Sequence, residues 1–591
     1  MNKRLRKLFG PHISARTEDD LVILEGQTSN WNDLVRAGLV AAKHLRLKPN
    51  LKKPGAPPLY GLVNNITFTG AAIPPMSVPT AGGTKIADNC LEGMRPDVMV
   101  IGGGVTGCAI ARELCRYNLE ILLVEKEHDL GMHASSRNDG MVHPGLDLHK
   151  GSLKHYYNSR GNALYDEVCK DLGVPFERIG QYLCFHSFFM LPVLFASLLY
   201  WKWLKVPGAR VISGWRLRRR EPGLSKDIKA ALFFPSAGIV CPFNLTIAYG
   251  ENAVQNNGRI SLDTAVLGIE WEDWGAVNAD GSGRRIRAVK TNRGTIYPRV
   301  VINAAGVFAE DIAAMAGDRF FSIHPRRGTN SILDKNLTGS VVNGIASTYA
   351  KGEAHSKGGG IIRTVHGNIL VGPDAVETWE KENFATHRES IDRVFAKFQK
   401  TSPLLKQGDI INYFTGVRAA TYEEDFVVCK GRRTENIVHA AGIQSPGLTA
   451  APAIAMDVAR FAVELLTDQG RHVKARENFN PRRVPAPHLS GMAKDQREAL
   501  IKENPDYGLI VCRCEEVSKG EILDSLRRPV PCDTLEGVKR RARPGGGRCL
   551  GSFCGPVILQ LIAAEKGIPL EKVMKSGPGS EVLCGPVKGT P

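Results

Sequence analysis

The chain has 591 residues, of which 43% are apolar and 23% charged, and its formal net charge is +17. That length is too great for one ordinary core and implies roughly three or four domains, with the composition of a globular protein. The charge favours anionic partners: a pyrophosphate, a phosphate or carboxylate substrate, or an anionic membrane surface. Nucleic acid is set aside, because no basic stripe is interleaved with aromatics as in a binding module. Thirteen cysteines in a long chain point to a reducing compartment rather than a disulfide scaffold. The basic start MNKRLRKLFG is followed by no apolar run of an export signal. The expected location is therefore the cytoplasm, with peripheral contact at the inner face of a membrane as an addition.

Residues 1–70 read as a small α/β module, with a strand at Leu21–Leu24, a helix at Trp31–His44 and a returning strand at Tyr60–Thr69. The stretches LEGQTSNW, AGLVAAKHL and YGLVNNITF resemble a BON-type domain, a module linked to membranes or tethering. Residues 71–95, rich in Pro, Gly and Thr, read as a linker.

The stretch from Pro96 to Lys126 carries the strongest local signal. An apolar strand, Val98–Ile101, breaks into Gly102, Gly104 and Gly107 in GxGxxG spacing, and a helix and second strand end at Glu125 and Lys126. The free N–H groups of such a helix N-terminus suit a pyrophosphate. Glu125, 18 positions beyond Gly107, stands where a ribose hydroxyl needs an acceptor. A polar, glycine-punctuated loop follows at Ser135–Leu146, and Thr264–Ile269 reads as a strand. Two later stretches, Arg299–Gly317 and His439–Ala459, repeat the order of strand, small-residue turn and helix. Ala304, Ala305 and Gly306 in the first would let backbone approach a cofactor, and the second puts another helix N-terminus at Thr449.

These stretches together, VIGGGVTGCAIARELCRYNLEILLVEK, SSRNDGMVHPGL, VINAAGVFAEDIA, GNILVGP, GVRA with EDFVV, and AGIQSPGLTAAPAIA, resemble the FAD-dependent D-amino acid oxidase superfamily. Within it, the likeness is to the glycerol-3-phosphate dehydrogenase and L-2-hydroxyglutarate oxidase group. It implies a non-covalent FAD and an α/β fold over residues 96–478, with a Rossmann-like FAD-binding lobe and an antiparallel-sheet substrate lobe. By motif match, the cofactor contacts would be Gly102, Gly104, Gly107, Glu125, Lys126, Ser136, Arg137, Ala305, Gly306, Gly447, Leu448 and Thr449, with the N–H of Val266 near adenine. The glycine-glycine-lysine turn usual in the glycerol-3-phosphate enzymes is absent from the last stretch.

A basic, Pro-rich connector, residues 479–505, leads to a C-terminal unit, 506–591, in which Cys512 and Cys514 are separated by 34 residues from Cys549 and Cys554. Four thiolates in two close pairs can enclose zinc or a 2Fe-2S cluster. The CxC spacing is tight for a zinc ribbon, and Gly545–Gly547 would let N–H groups approach cluster sulfurs. The segment VCRCEEVSKGEI with TLEGVKRRARPGGGRCLGSFC resembles the bacterioferritin-associated-ferredoxin-like 2Fe-2S domain, a small helical unit that would place a one-electron relay beside a flavin.

Phe188 to Val206, FFMLPVLFASLLYWKWLKV, is nearly long enough to span a bilayer. Its flanks belong to one lobe, so contact with a membrane interface or a partner subunit is the expectation. For the chemistry, hydride removal from a carbon bearing OH or NH is expected. Arg418, in GVRA, would hold a carboxylate or phosphate, and Arg327 is the second choice. His143 and His366 are the candidate bases. Electrons would pass through the cluster to a quinone or protein acceptor. The substrate is read as glycerol-3-phosphate or a 2-hydroxy acid, with an amino acid or amine, or a non-catalytic electron relay, as alternatives.

Overall fold

The computed structural model describes the whole chain except Asp19, 46–54, 56–60, Gly82, Asp147, Lys205, 275–282, 349–358 and 586–591. Its centre is a six-stranded sheet in the order Arg259–Ser261, Ile121–Val124, Val98–Ile101, Val300–Asn303, Ile437–Ala441, Val427–Lys430. All neighbours are parallel except the last pair. The four-residue runs VMVI, ILLV and VVIN are buried throughout, as strands covered on both faces must be. One face packs on the helices Val105–Leu114, Leu153–Leu172, Pro242–Gln255 and Gly447–Asp468. The other packs on the three-stranded meander Val266–Asp273, Arg284–Thr291, Gly294–Ile296. Strand order reverses on either side of Val98–Ile101, so a crevice opens at the carboxyl ends of that strand and Val300–Asn303, where ligands of open α/β sheets bind.

The second lobe is a nine-stranded sheet. It is mixed rather than purely antiparallel, because Gln181–Phe185 runs parallel to Gly344–Thr348. Its longest pair, Ile323–Leu333 with Ile410–Thr421, is antiparallel and puts Arg326 opposite Arg418 and Gly328 opposite Gly416. The helix Leu191–Trp203, inside the apolar insertion, buries Leu194 and Trp201 against Phe234 and Phe185. Trp201 meets Phe234 edge-on at 5.2 Å. Among the described residues no helix is long and apolar enough to cross a membrane; Lys205 of this insertion lies outside them.

At the N-terminus a helix, Asn2–Phe9, and a strand, Ile13–Glu18, precede the elements read from sequence. The strand pairs antiparallel with Leu21–Thr28, which in turn pairs parallel with Gly61–Phe68; the expected start of the last strand at Tyr60 lies outside the described residues. This sheet shares core with the central body of the chain: Leu21, Ile23 and Val63 pack with Phe308, Phe320 and Phe321. Asn64 donates to the Tyr422 hydroxyl at 2.8 Å.

The C-terminal unit is built on the helices Lys519–Arg527, Leu535–Ala542 and Gly555–Lys566. Ser518 and Glu521 form a capping box at the first, the signature S-x-x-E. Glu521 also accepts from His488 of the connector at 2.9 Å. The unit docks on the lobe of the six-stranded sheet through charges. Asp129 accepts from Arg540 at 2.6 Å and from Arg541 at 2.8 and 2.9 Å. His128 bridges Asp263 (2.9 Å) and Asp533 (2.8 Å), and Glu251 holds Arg483 (2.5 Å) and Arg528 (2.6 Å).

Candidate active site and iron-sulfur centre

The glycine turn after Val98–Ile101 is forced by packing. A Cβ on Gly107 would stand 1.9 Å from the Gly102 carbonyl oxygen, and one on Gly102, at φ +112°, would stand 2.5 Å from Ala304 O. Only glycine lets helix and strand close to this distance. The N–H of Val105, freed by the helix start, donates to Ser135 Oγ at 2.8 Å. Glu125 accepts from Gly103 N at 2.5 Å and Glu127 N at 2.9 Å, which fixes its carboxylate at the end of the second strand. Burial raises its pKa.

From this turn a cavity of about 1040 Å³ runs between the lobes. Gly104, Ser135, Arg137, Gly306, Gly447 and Leu448 line one part, and His143, Lys154, Arg326, Arg418 and Glu423 line another. Where a Cβ on Gly306 would point there is open space, and the helix Gly447–Asp468 aims its N-terminus at the cavity. Volume, glycine backbone and two helix N-termini together fit a dinucleotide with its pyrophosphate at the turn.

Several residues expected at the cofactor are not among those that line the cavity. The Lys126 ammonium is held by Glu127, by Glu382 (2.5 Å) and by Ser77 Oγ (2.9 Å). That ties the linker to the body. Ser136 Oγ donates to Gly131 O, and it is Ser135 that meets the helix. Val266 is buried in the meander core, Thr449 accepts the His143 N–H at 2.8 Å, and Ala305 is only partly buried against the same sheet. None of these three lines the cavity. Arg137 does, with its guanidinium 4.2 Å over the Phe384 ring.

In the substrate half, Arg418 donates to Asp374 O at 2.8 Å, and no carboxylate among the described residues forms an ion pair with it. Burial, and next the like charge of Arg326, pull its pKa below the ordinary value. Arg326 is matched by Glu377 (2.6 Å) and Glu424 (2.7 Å). Arg327 reaches His387 Nε2 at 2.7 Å on the other face of its strand and is not among the residues that line the cavity. Side chains alternate along a strand, so Arg326 holds the inward place. His366 is not among the lining residues either. It sits in the hairpin turn after Gly360–Arg363, and burial, then Arg543, His488 and Lys335 of the docked surface, push its pKa down to about 2. His143 stands in the cavity, its Nε2 3.3 Å from Ser445 Oγ. Glu423 escaped the sequence reading altogether. Burial and the charges of Asp425, Glu310 and Glu424 raise its pKa to about 7, and its Oε2 is buried without a hydrogen-bond partner.

In the C-terminal unit the four paired cysteines converge. Cys512 Sγ is 3.6 Å from Cys514 Sγ and also contacts Cys554, while Cys514 contacts Cys549. The Cys554 thiol, and against burial the N–H groups of Gly545 and Glu515, hold Cys512 down to about 5. Burial and the Cys512 sulfur push Cys514 up to about 12. A Cβ on Gly547 would lie 2.6 Å from Cys514 Sγ, so the glycine run brings backbone against sulfur. Four converging sulfurs, with N–H donors at Cys512 and at Cys549, suit a cluster. Cys532 is buried, donating to Ser525 O at 3.3 Å, and Cys584 is exposed.

Residues 97–461 match the FAD dependent oxidoreductase family and residues 510–564 the BFD-like [2Fe-2S] binding domain. The chain thus belongs to the FAD dependent oxidoreductases, with FAD and a 2Fe-2S cluster as cofactors, and it oxidises a small hydroxy substrate with electron transfer through the cluster. Among its relatives is the glycerol 3-phosphate dehydrogenase of Caloramator mitchellensis, 35% identical over 497 residues, which are 83% of this chain and 99% of that protein. The mitochondrial L-2-hydroxyglutarate dehydrogenase of Arabidopsis thaliana is 27% identical over 62% of this chain and 83% of its own length. Among solved structures, dithionite-reduced L-alpha-glycerophosphate oxidase from Mycoplasma pneumoniae with FAD bound superposes with a TM-score of 0.59. It is 27% identical and covers 66% of this chain and 99% of its own.

Proposed function

We propose that the chain is a dehydrogenase that oxidises the secondary hydroxyl of glycerol-3-phosphate to a ketone. The observation that carries this reading is Arg418, a cation in the cavity wall whose hydrogen bond goes to a main-chain carbonyl. A guanidinium in that state is ready for a bidentate anion. A 2-hydroxy acid offers a carboxylate to the same fork, but the relative named for glycerol 3-phosphate shares more identity over more of the chain. Bound FAD supplies the acceptor for the substrate hydride. His143 takes the hydroxyl proton, Arg418 holds the anionic end, and Lys154, which lines the same wall 3.7 Å from Glu424, adds positive field.

Residues Gly104, Ser135, Arg137, Gly306, Gly447 and Leu448 hold the cofactor in this reading, and Cys512, Cys514, Cys549 and Cys554 hold the cluster. Anaerobic mixing of the holoenzyme with glycerol-3-phosphate, 2-hydroxyglutarate and amino acids tests it. Bleaching of the flavin by glycerol-3-phosphate is expected; bleaching by 2-hydroxyglutarate alone selects the hydroxy-acid reading, and bleaching by none selects an electron relay. Stoichiometric peroxide in air would speak against a dehydrogenase.

The insertion supports contact with an anionic bilayer. Its exposed face carries Phe189 (95% exposed), Leu199 and Trp203, with Lys150 3.8 Å above the Trp203 ring, the pairing of apolar and cationic groups that settles at lipid surfaces. Val193 and Trp201 of the same helix line the cavity. Cosedimentation with phosphatidylglycerol vesicles is expected, with Leu199→Asp abolishing it.

A further inference from the structure

One stretch of the cavity wall belongs neither to the cofactor residues nor to the charged ones. Leu146, Leu148, Leu183, Phe185, Val193 and Trp201 line it, and Leu146, Phe185 and Trp201 are parts of one buried core. Val193, Ser197 and Trp201 stand four residues apart on the helix Leu191–Trp203, so one face of that helix is cavity wall. Val193 is at the same time 53% exposed. The apolar stretch therefore reaches the surface on the helix that also exposes Leu199 and Trp203.

Trp201 adds a polar requirement. It is 6% exposed, and among the described residues its Nε1 has no hydrogen-bond acceptor. An indole nitrogen only donates, and a buried donor left unpaired is costly. The wall thus calls for a ligand that brings an acceptor together with apolar surface. Glycerol-3-phosphate carries oxygen on every carbon and would leave the leucines, Phe185 and Val193 facing water, at the usual cost of wetting apolar surface.

We infer that the enzyme also oxidises 1-acyl-glycerol-3-phosphate, with the phosphate at Arg418, the acyl chain along this apolar stretch and the ester carbonyl accepting from Trp201 Nε1. The inference rests on the reading of the chain as a glycerol-3-phosphate dehydrogenase that meets a bilayer. The bonds that break are those of the parent reaction: the C2 hydride passes to bound FAD and the hydroxyl proton to His143. The ester is untouched, the product is a 1-acyl-dihydroxyacetone phosphate, and two electrons enter the flavin. A single-chain phosphate ester is selected because the anion site and the apolar stretch belong to one cavity. A lipid quinone fits the stretch but makes no use of Arg418. The exposed end at Val193 lets the far end of the chain stay in the bilayer.

The test mixes the holoenzyme anaerobically with glycerol-3-phosphate and with its 1-acetyl, 1-hexanoyl and 1-octanoyl esters, kept monomeric so that the result does not depend on vesicle binding. The expected result is flavin bleaching by each of them, with KM falling along the series by about fourfold for each methylene that becomes buried. Trp201→Phe keeps a ring against Phe234 and removes the donor, and Val193→Asp puts a charge at a half-exposed position. Each should lower the ratio of kcat/KM for the octanoyl ester to that for glycerol-3-phosphate by about tenfold. Bleaching by glycerol-3-phosphate with no gain along the series would overturn the inference and leave the parent reading standing, as would an octanoyl ester that competes without being oxidised. Ratios unchanged in both variants would also overturn it. Variants that lose reduction of a decyl quinone instead would do the same, by giving the stretch to the electron acceptor. Bleaching by none of these compounds would overturn the inference and the parent reading together.

Discussion

The cavity wall and the seam under the C-terminal unit use charge in opposite ways. At the seam, Asp129 sits between two arginines, His128 between two aspartates and Glu251 between two arginines. In the cavity, Arg326 is matched by two carboxylates while Arg418, directly across the strand pair, has a carbonyl oxygen. A matched buried charge holds structure, because removing one partner strands the other. A half-buried cation with no ion-paired carboxylate among the described residues is costly unless an anion arrives, so it marks a place for a ligand.

The largest effect should come from breaking that contrast at Arg418. Arg418→Ala is expected to lower kcat/KM for the anionic substrate about 1000-fold, in the range for truncating one side of a desolvated charge pair. Loss should appear as weaker binding and slower flavin bleaching together, with partial rescue by free guanidinium. The same substitution at the surface cation Arg327 should change either quantity little, since that side chain meets His387 outside the cavity.

This pair also shows how far the chain was legible. The GxGxxG turn, the repeated strand-turn-helix stretches and the cysteine spacing are local patterns, and each requires its own residue types at fixed separation. Arg326 against Arg327 is decided by which way one side chain faces, since a shift of one residue reverses the face of a strand, and Ser135 against Ser136 by how the turn that carries them folds back on the helix. No pattern around GVRA or HPRRGT carries that register. Asp129 and its arginines are 411 and 412 residues apart, and Glu423 is perturbed by burial, so both depend on tertiary packing that periodicity does not encode. The place of His366, in a hairpin that turns toward the docked unit, is set by the same kind of packing.

The seam is the next contrast to break. Asp129→Ala strands Arg540 and Arg541 and should cost about 3 kcal/mol of docking free energy, read as faster hydrogen exchange in Leu535–Ala542 and faster proteolysis within residues 479–505. The pH dependence of this seam has a definite sign. Burial works against charge on His128, but its hydrogen bonds to Asp263 and Asp533 carry its pKa up to about 10. A histidine with a raised folded pKa contributes fully below its unfolded value, about 6.5, and the contribution is lost as pH rises toward 10. In the undocked chain His128 keeps its bond to Asp263, so docking gains only the share from Asp533; docking should therefore loosen as pH rises toward 10, and His128→Gln should flatten the dependence. A seam that tightened with rising pH would exclude His128 as its titrating group.

The smallest expected effect concerns Glu423, which makes the cavity wall itself pH-dependent. Below about 7 its carboxyl is neutral; above that value it adds a negative charge to a wall that already holds Glu424 and Asp425, with Lys154, Arg326 and Arg418 as the cations. Affinity for an anionic substrate should then fall as pH rises through 7. Two unit charges several ångströms apart at an effective dielectric of 20 interact by a few kcal/mol at most, and water in an open cavity screens this further, so the decline should be less than about tenfold. A phosphate monoester loses its second proton near pH 6, which strengthens its pairing with Arg418 and opposes the decline. Glu423→Gln separates the two, because it removes the wall charge and leaves the ligand as it is. In that variant affinity should rise through pH 6 and stay level above it. If the decline above pH 7 persists in the glutamine variant, the group responsible lies elsewhere, and the open hydrogen-bonding position at Glu423 Oε2 then has no part in selecting the charge of the substrate.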